Sequence, residues 1–317
     1  MGISVIIMAG GIGKRMNSKK VKVLHNILGH PIIYYVFETA KSINPEKIVI
    51  VYGKKGAEIK DMFQGEEYAF QEEPRGTGDA VKIGMKKLKN ISGDVLILSG
   101  DVPLLTKKTI DTLQRYHKDG NYDVTILTFI PEKPDYYGRI VREGNEILKI
   151  VEYKDATSEE KKIKEVNSGI YIFKKNTLEM ALASIKNENT QGEYYLTDTI
   201  EVIKKRGGKI GGVVVEDPKE VSGINTREEL IDIIEYKRKK IIKNLMEDGV
   251  TIIMPHTVYI EDNVKIGRDT TIYPFNIIMG DTIIGEDSII ESFCYIKDAL
   301  VKKGQRIPAN TIINGEK

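Results

Sequence analysis

Over the first 225 residues, short runs of β-branched and other apolar residues alternate with stretches whose apolar positions recur at helical spacing. The runs cover residues 4–8, 47–51, 94–98 and 124–130, and helices are expected near 32–40, 81–88 and 108–117. Alternation of this kind predicts an α/β domain with a mostly parallel sheet and helices on both faces. Ligands of such sheets gather beyond the carboxyl ends of the strands. Two loops leave such ends, residues 9–13 after the first run and 99–103 after the third, and they are expected to face one crevice.

Past residue 225 the period changes. Thr226 and Glu229 have capping-box spacing, Leu230, Ile233, Ile234, Ile241, Ile242 and Leu245 repeat on helical spacing, and Gly249 supplies a stop. Residues 226–249 are therefore expected to form one connecting helix. From there Ile260, Ile266, Ile272, Ile278, Ile284, Ile290 and Ile296 recur every six residues, with Val264, Thr270, Thr282, Ser288 and Cys294 each four positions further on. A hexapeptide period predicts a parallel β-helix, in which aliphatic residues fill the corners and small residues fit beneath the next turn. With about three hexads to a coil, residues 250–317 hold only about three coils. Residues 1–225 then form the α/β domain. Cys294, on the small-residue register, reads as a buried filler.

Composition narrows the function classes. The 317 residues are 41% hydrophobic, enough for a core in each of two domains, and 48 basic against 46 acidic side chains leave a net charge of +2. No basic surplus calls for a nucleic acid. One cysteine excludes an intrachain disulfide, and His25, His30, His117 and His256 lack the spacing of a zinc site. Gly10 and Gly11 interrupt the first apolar run too early for a signal peptide, and no window reaches membrane-span length, so a reducing cytoplasm is expected.

The candidate chemistry begins in Met8-Ala9-Gly10-Gly11-Ile12-Gly13-Lys14-Arg15, an apolar strand that empties into a glycine-rich loop ending in two cations. Small residues let backbone N–H groups approach anionic oxygens, Arg15 can fork onto two of them, and Lys14 or Lys22 adds a point charge. A tight packing turn is the plain alternative. The loop lacks the Gly-Lys-Ser/Thr of a nucleoside-triphosphate P-loop and the G-x-G-x-x-G of dinucleotide folds. Asp101, in Gly-Asp-Val-Pro after an apolar strand, suits a hard divalent cation that also holds phosphate oxygens, or else it caps the helix beginning near Thr106. No histidine accompanies a serine or cysteine in a nucleophile elbow.

Several segments occur in family order: residues 8–16, Lys22-Val23-Leu24-His25, Gly76-Thr77-Gly78, Gly100-Asp101-Val102-Pro103-Leu104, Tyr137-Gly138-Arg139-Ile140, Val151-Glu152-Tyr153-Lys154-Asp155-Ala156, Asn167-Ser168-Gly169-Ile170 and Gln191-Gly192-Glu193-Tyr194-Tyr195-Leu196-Thr197-Asp198. Together they resemble the bifunctional N-acetylglucosamine-1-phosphate uridyltransferase/glucosamine-1-phosphate acetyltransferase family over roughly the first 300 residues. The resemblance implies a Rossmann-like nucleotidyltransferase domain followed by a short left-handed parallel β-helix. It implies formation of UDP-N-acetylglucosamine, a cell-wall precursor, and pyrophosphate from UTP and N-acetylglucosamine 1-phosphate. Met8, Ala9, Gly10, Gly11, Gln71, Gly76, Thr77, Ser99 and Gly100 would hold the nucleotide, with Gln71 and the Gly-Thr backbone on the uracil edge. Arg15 and Lys22 would meet phosphates, and Gly138, Glu152 and Asn167 would hold the aminosugar. Asp101 and Asn225 would bind Mg2+. A homo-oligomer, a trimer first, is implied through the β-helix.

There are departures from the family pattern. Ile12 stands where the family carries lysine, Val21 replaces the usual proline, and no histidine follows His256 to serve as an acetyltransferase base. The second activity is therefore expected to be missing. A nucleotidyltransferase for another sugar or base, such as glucose 1-phosphate with TTP, and a catalytically idle UDP-sugar-binding hexapeptide scaffold are the rival readings. Tyr194 and Tyr195 read equally as packing.

Overall fold

The computed structural model describes residues 2–11, 13–89, 91–134 and 136–315. By its contacts the chain divides into two units, Met1–His25 with Ile32–Asn225, and Asn26–Pro31 with Thr226–Lys317. The first strands in chain order are β1 (Ile3–Met8), the hairpin β2 (Asn26–Ile27) and β3 (His30–Pro31), β4 (Lys47–Gly53) and β5 (Glu67–Gln71). They are followed by β6 (Asp94–Ser99), β7 (Val124–Phe129), β8 (Arg139–Glu143), β9 (Glu146–Val151), β10 (Val166–Lys174) and β11 (Ile210–Val214). The helices are α1 (Ile32–Ser42), α2 (Thr77–Met85), α3 (Lys107–Asp119), α4 (Lys175–Leu182), α5 (Asp198–Lys205) and α6 (Arg227–Glu247).

In the first unit the sheet runs β11-β7-β10-β6-β1-β4-β5. Strand β1 reads as a continuous apolar run because both its faces are covered, and Val5, Ile6 and Ile7 are fully buried. Each such side chain contributes roughly 1.5–3 kcal/mol relative to exposure. Alternation along β1 sends Val5 and Ile7 to the core shared with α1 and α3, and Ile6 to the core shared with α2, α4 and α5. The helices thus cover both faces. The sheet is less parallel than the alternation predicts, because β10 lies antiparallel to both β6 and β7. Beyond it the β8–β9 hairpin attaches through Val166 and Arg139.

Local chemistry sets the helix starts. Thr106, not Asp101, caps α3, its hydroxyl accepting from the Thr109 N–H at 3.2 Å, so the capping reading of Asp101 does not hold. Helix α2 begins at Thr77, four residues earlier than the apolar spacing indicates, directly after Gly76 at φ 110°.

In the second unit α6 carries the complete capping box: Glu229 N–H donates to the Thr226 hydroxyl at 3.1 Å and Thr226 N–H to the Glu229 carboxylate at 3.0 Å. Gly249 at φ 92° ends the segment. The coils then stack parallel and in register, Ile260 on Ile278 on Ile296 on Ile313. The interval shortens by one residue in the last coil, where Ile284 meets Val301 and Ile290 meets Ile307. Thr270, Thr282 and Ser288 are fully buried in the small-residue slots, and Cys294 is 1% exposed with its thiol against the Glu291 and Pro308 carbonyls, a filler in place and environment. Asn276 takes the slot missing from the small-residue series, donating to the Tyr273 carbonyl at 2.7 Å and accepting from Cys294 N–H at 2.7 Å.

The hairpin Asn26–Pro31 belongs by its contacts to this second unit. Leu28, 1% exposed, accepts from Asp262 N–H at 3.2 Å through its carbonyl. Among the described residues no helix is long and apolar enough to cross a membrane.

Candidate active site

Strands β1 and β6 pair in parallel with Met8 opposite Ser99, so their two following loops leave the same sheet edge side by side. Gly100 N–H donates to the Met8 carbonyl at 2.9 Å, and Ala9 N–H donates to Val51 at 2.7 Å. A side chain at Gly100 would place its Cβ 2.8 Å from that Met8 carbonyl oxygen, which explains the glycine. Gly11 faces open space, with nothing within 4 Å of a Cβ built there. Ile12 lies outside the described residues.

Gln71, at the end of β5 and buried, is fixed by its amide N–H groups on Asp79 at 2.9 Å and on the Gly76 carbonyl at 3.2 Å. Its carbonyl oxygen is thereby aimed at Gly10, 2.9 Å from where a Cβ would stand. The backbone of Gly76 is pinned beneath Tyr194, whose carbonyl accepts from Gly78 N–H at 2.8 Å. The Thr77 hydroxyl accepts from Leu196 N–H at 3.0 Å, so it secures the 194–196 segment. This gives the tyrosine pair a concrete role: Tyr194 supports the loop through its backbone, and Tyr195 is buried with its hydroxyl accepting from Gln191 at 2.7 Å.

Three of the expected residues meet at one point. The Lys22 ammonium donates to an Asp101 carboxylate oxygen and, at 3.1 Å, to the Asn225 amide oxygen. The Lys22 and Asp101 side chains are each 13% exposed. The other Asp101 oxygen accepts from the Ser99 hydroxyl at 2.6 Å, and the Asp101 carbonyl accepts from Ile224 N–H at 3.0 Å, which draws the 223–225 turn alongside. Burial works to raise the Asp101 carboxyl, but Lys22 and Ser99 outweigh it and hold the group below the usual carboxylate range. Arg15 stands apart, exposed, with its guanidinium 5.2 Å from the Tyr136 ring centre.

The aminosugar candidates also converge. Asn167 N–H donates to the Gly138 carbonyl at 2.9 Å, and a Cβ on Gly138 would lie 3.5 Å from a Glu152 carboxylate oxygen. The other Glu152 oxygen accepts from the Thr197 hydroxyl at 3.0 Å. Burial, with Asp198, Asp155 and Glu193 nearby, pushes the Glu152 carboxyl up despite that bond. Asn167 is held at both ends of its amide, donating to the Tyr171 hydroxyl at 2.6 Å and accepting from Gly169 N–H at 3.1 Å. It opens the β10 bulge, and the bulge brings Gly169 to within 3.7 Å of the Ser99 Cβ, measured from a Cβ built on the glycine. The nucleotide side and the sugar side are therefore contiguous at the end of β6. The bulge and the Thr197 contact escaped the sequence reading; polar residues opening an apolar run at 166–173 are the one signal that could have marked the bulge.

Asp101 and Asn225 offer a carboxylate and an amide oxygen, hard donors already converging on one cationic group, the Lys22 ammonium. This donor set fits a divalent cation that takes its remaining ligands from substrate phosphates and water. Among the described residues no cluster of three or more His, Cys, Asp and Glu forms a self-sufficient metal cage.

Comparison with known proteins agrees with this architecture. Residues 4–217 match the Nucleotidyl transferase family, and residues 263–298 match the Bacterial transferase hexapeptide (six repeats) family. The chain is 47% identical over 278 residues, 87% of its length, to bifunctional protein GlmU of Acetivibrio thermocellus. It is 41% identical over 99% of its length to that of Alkaliphilus metalliredigens, and 43% identical over 98% to that of Caldanaerobacter subterraneus subsp. tengcongensis. It spans 60%, 69% and 68% of the length of these three relatives. A crystal structure of a Bacillus anthracis protein assigned as a glucose-1-phosphate thymidylyltransferase superposes with a TM-score of 0.58 at 18% identity, over 74% of this chain and 95% of that one, a likeness of fold. On the family match and these identities, the chain belongs to the nucleotidyl transferase family and, within it, to the group of proteins named bifunctional protein GlmU.

Proposed function

We propose that the chain joins UTP to N-acetylglucosamine 1-phosphate, giving UDP-N-acetylglucosamine and pyrophosphate, with Mg2+ bound by Asp101 and Asn225. The observation that carries the reading is the meeting of Lys22, Asp101 and Asn225 at the shared mouth of β1 and β6. The backbone of residues 8–11 receives the nucleotide, and the buried Gln71, its amide N–H groups held by Asp79 and Gly76, presents its carbonyl oxygen to the uracil edge. Gly138, Glu152 and Asn167 orient the sugar so that its phosphate oxygen faces the α-phosphorus. The new O–Pα bond forms in line as the bond from Pα to the β-phosphate oxygen breaks, and the electron pair leaves with pyrophosphate. Lys22 and Arg15 supply positive charge to the phosphates, so positioning and charge stabilisation suffice without a side-chain nucleophile. A divalent ion on Asp101 and Asn225 would neutralise charge on the phosphates as it develops.

The reading includes a trimer assembled through the β-helix. Ile277 and Ile312, on stacked strands of one β-helix sheet, are 41% and 72% exposed, and the stacked rings of Phe275 and Phe293 are 49% and 59% exposed. A pyrophosphate-release screen tests the proposal: UTP with N-acetylglucosamine 1-phosphate and magnesium is expected to give the fastest turnover. A faster rate with another nucleotide or sugar phosphate would replace these substrates.

A further inference from the structure

Tyr136 adopts φ 69°, a left-handed conformation that a bulky side chain rarely takes, and it is 69% exposed, so burial does not repay the strain. Its ring instead carries the Arg15 guanidinium, 5.2 Å from the ring centre. Behind it stands Tyr153, whose ring centre is 5.5 Å away at an interplanar angle of 55°. Tyr153 is anchored in turn by the cationic heads of Arg139 at 5.4 Å and Lys161 at 5.0 Å, and it directly follows Glu152 on the sugar side. Among the described residues no carboxylate pairs with Arg15. A guanidinium whose neighbour is an aromatic ring does not spend its N–H groups on a carboxylate, and they remain available to an anionic ligand.

We infer that Tyr136 is a positioning residue that presents Arg15, donors free, to the leaving pyrophosphate, an inference that rests on the nucleotidyl-transfer reading above. The left-handed backbone turns the ring beneath the guanidinium, and the Tyr153 contact fixes the ring. Holding the long arginine side chain in advance removes part of the rotamer entropy lost when it forks onto phosphate oxygens.

Inorganic pyrophosphate, titrated calorimetrically into the full chain, tests this without requiring turnover. Tyr136→Gly removes the ring at a backbone angle that suits glycine, so folding is retained, and the affinity is expected to fall about two- to fivefold, the range of an exposed cation–π contact. Tyr136→Phe keeps the platform and should bind like the parent. In an Arg15→Ala background the Tyr136→Gly change should have no further effect, because the ring acts only through the guanidinium. The same pattern is expected in kcat, with little change in the KM for the sugar phosphate. Equal affinity in Tyr136→Gly and the parent, or an undiminished loss in the Arg15→Ala background, would overturn the inference. A parent that releases no pyrophosphate from any substrate pair would count against the reaction, while the titration would still decide the role of Tyr136.

Discussion

Asp101 is held by Lys22 and Ser99 and stands against the 223–225 turn, so its removal strips the proposed cation site and also leaves a nearly buried ammonium with one oxygen fewer. Asp101→Ala is expected to lower kcat by at least about a hundredfold, about 2.7 kcal/mol of barrier, and steady-state pyrophosphate release at saturating substrates reads it. Turnover within about threefold of the parent would remove Asp101 from the metal site. Asp198, beside Glu152 on the sugar side, offers a pH test. Burial first, then Glu201 and Asp155, raise its carboxyl to about 6. A carboxyl raised on folding binds its proton more tightly in the folded state, so its contribution to stability falls as pH rises from about 4 to about 6 and stays lost above. Asp198→Asn should therefore stabilise the protein at about pH 7.5, by about 1 kcal/mol after allowance for solvent screening, and leave it unchanged near pH 4. Urea unfolding at both pH values measures this, and an equal gain at both would contradict it. At this scale the sequence names Lys22, Asp101 and Asn225 through their motifs. It is silent on the Thr197–Glu152 bond, because a contact between residues 45 apart leaves no periodic trace.

Among the elements, α2 depends on the turn before it. Gly76 has φ 110°, and a Cβ there would stand 2.5 Å from the Tyr194 carbonyl oxygen, a backbone atom that cannot swing aside. Gly76→Ala is expected to cost about 2 kcal/mol or more and to loosen the segment that holds Gln71. A thermal midpoint equal to the parent's would show that the turn can relax. The hexapeptide repeat is legible in the sequence because each coil repeats the same local demand, an aliphatic corner and a small slot. Its last coil, one residue shorter, lies beyond the reach of a six-residue ruler. Strand β10 was not legible, since its antiparallel place between β6 and β7 is set by long-range pairing and a bulge after Asn167 breaks its alternation. Domain order could be read from the change of period, whereas the hairpin Asn26–Pro31 could not be assigned, because a two-residue strand carries no period that names its partner.

At the scale of the whole molecule, the exposed Ile277 and Ile312 call for cover. If the proposed trimer forms through this face, replacing both with Asp is expected to reduce the solution mass from three chains to one in light scattering, with the far-ultraviolet signal of the fold retained. An unchanged mass would move the interface elsewhere. The mouth of β1 and β6 is proposed to transfer a uridylyl group to a sugar phosphate. UTP labelled at the α-phosphorus, incubated with N-acetylglucosamine 1-phosphate, magnesium and the full chain, tests it most directly. The label is expected to appear in UDP-N-acetylglucosamine in step with the unlabelled pyrophosphate released. Label appearing only as UMP, or remaining in UTP while the protein binds both substrates, would contradict the account.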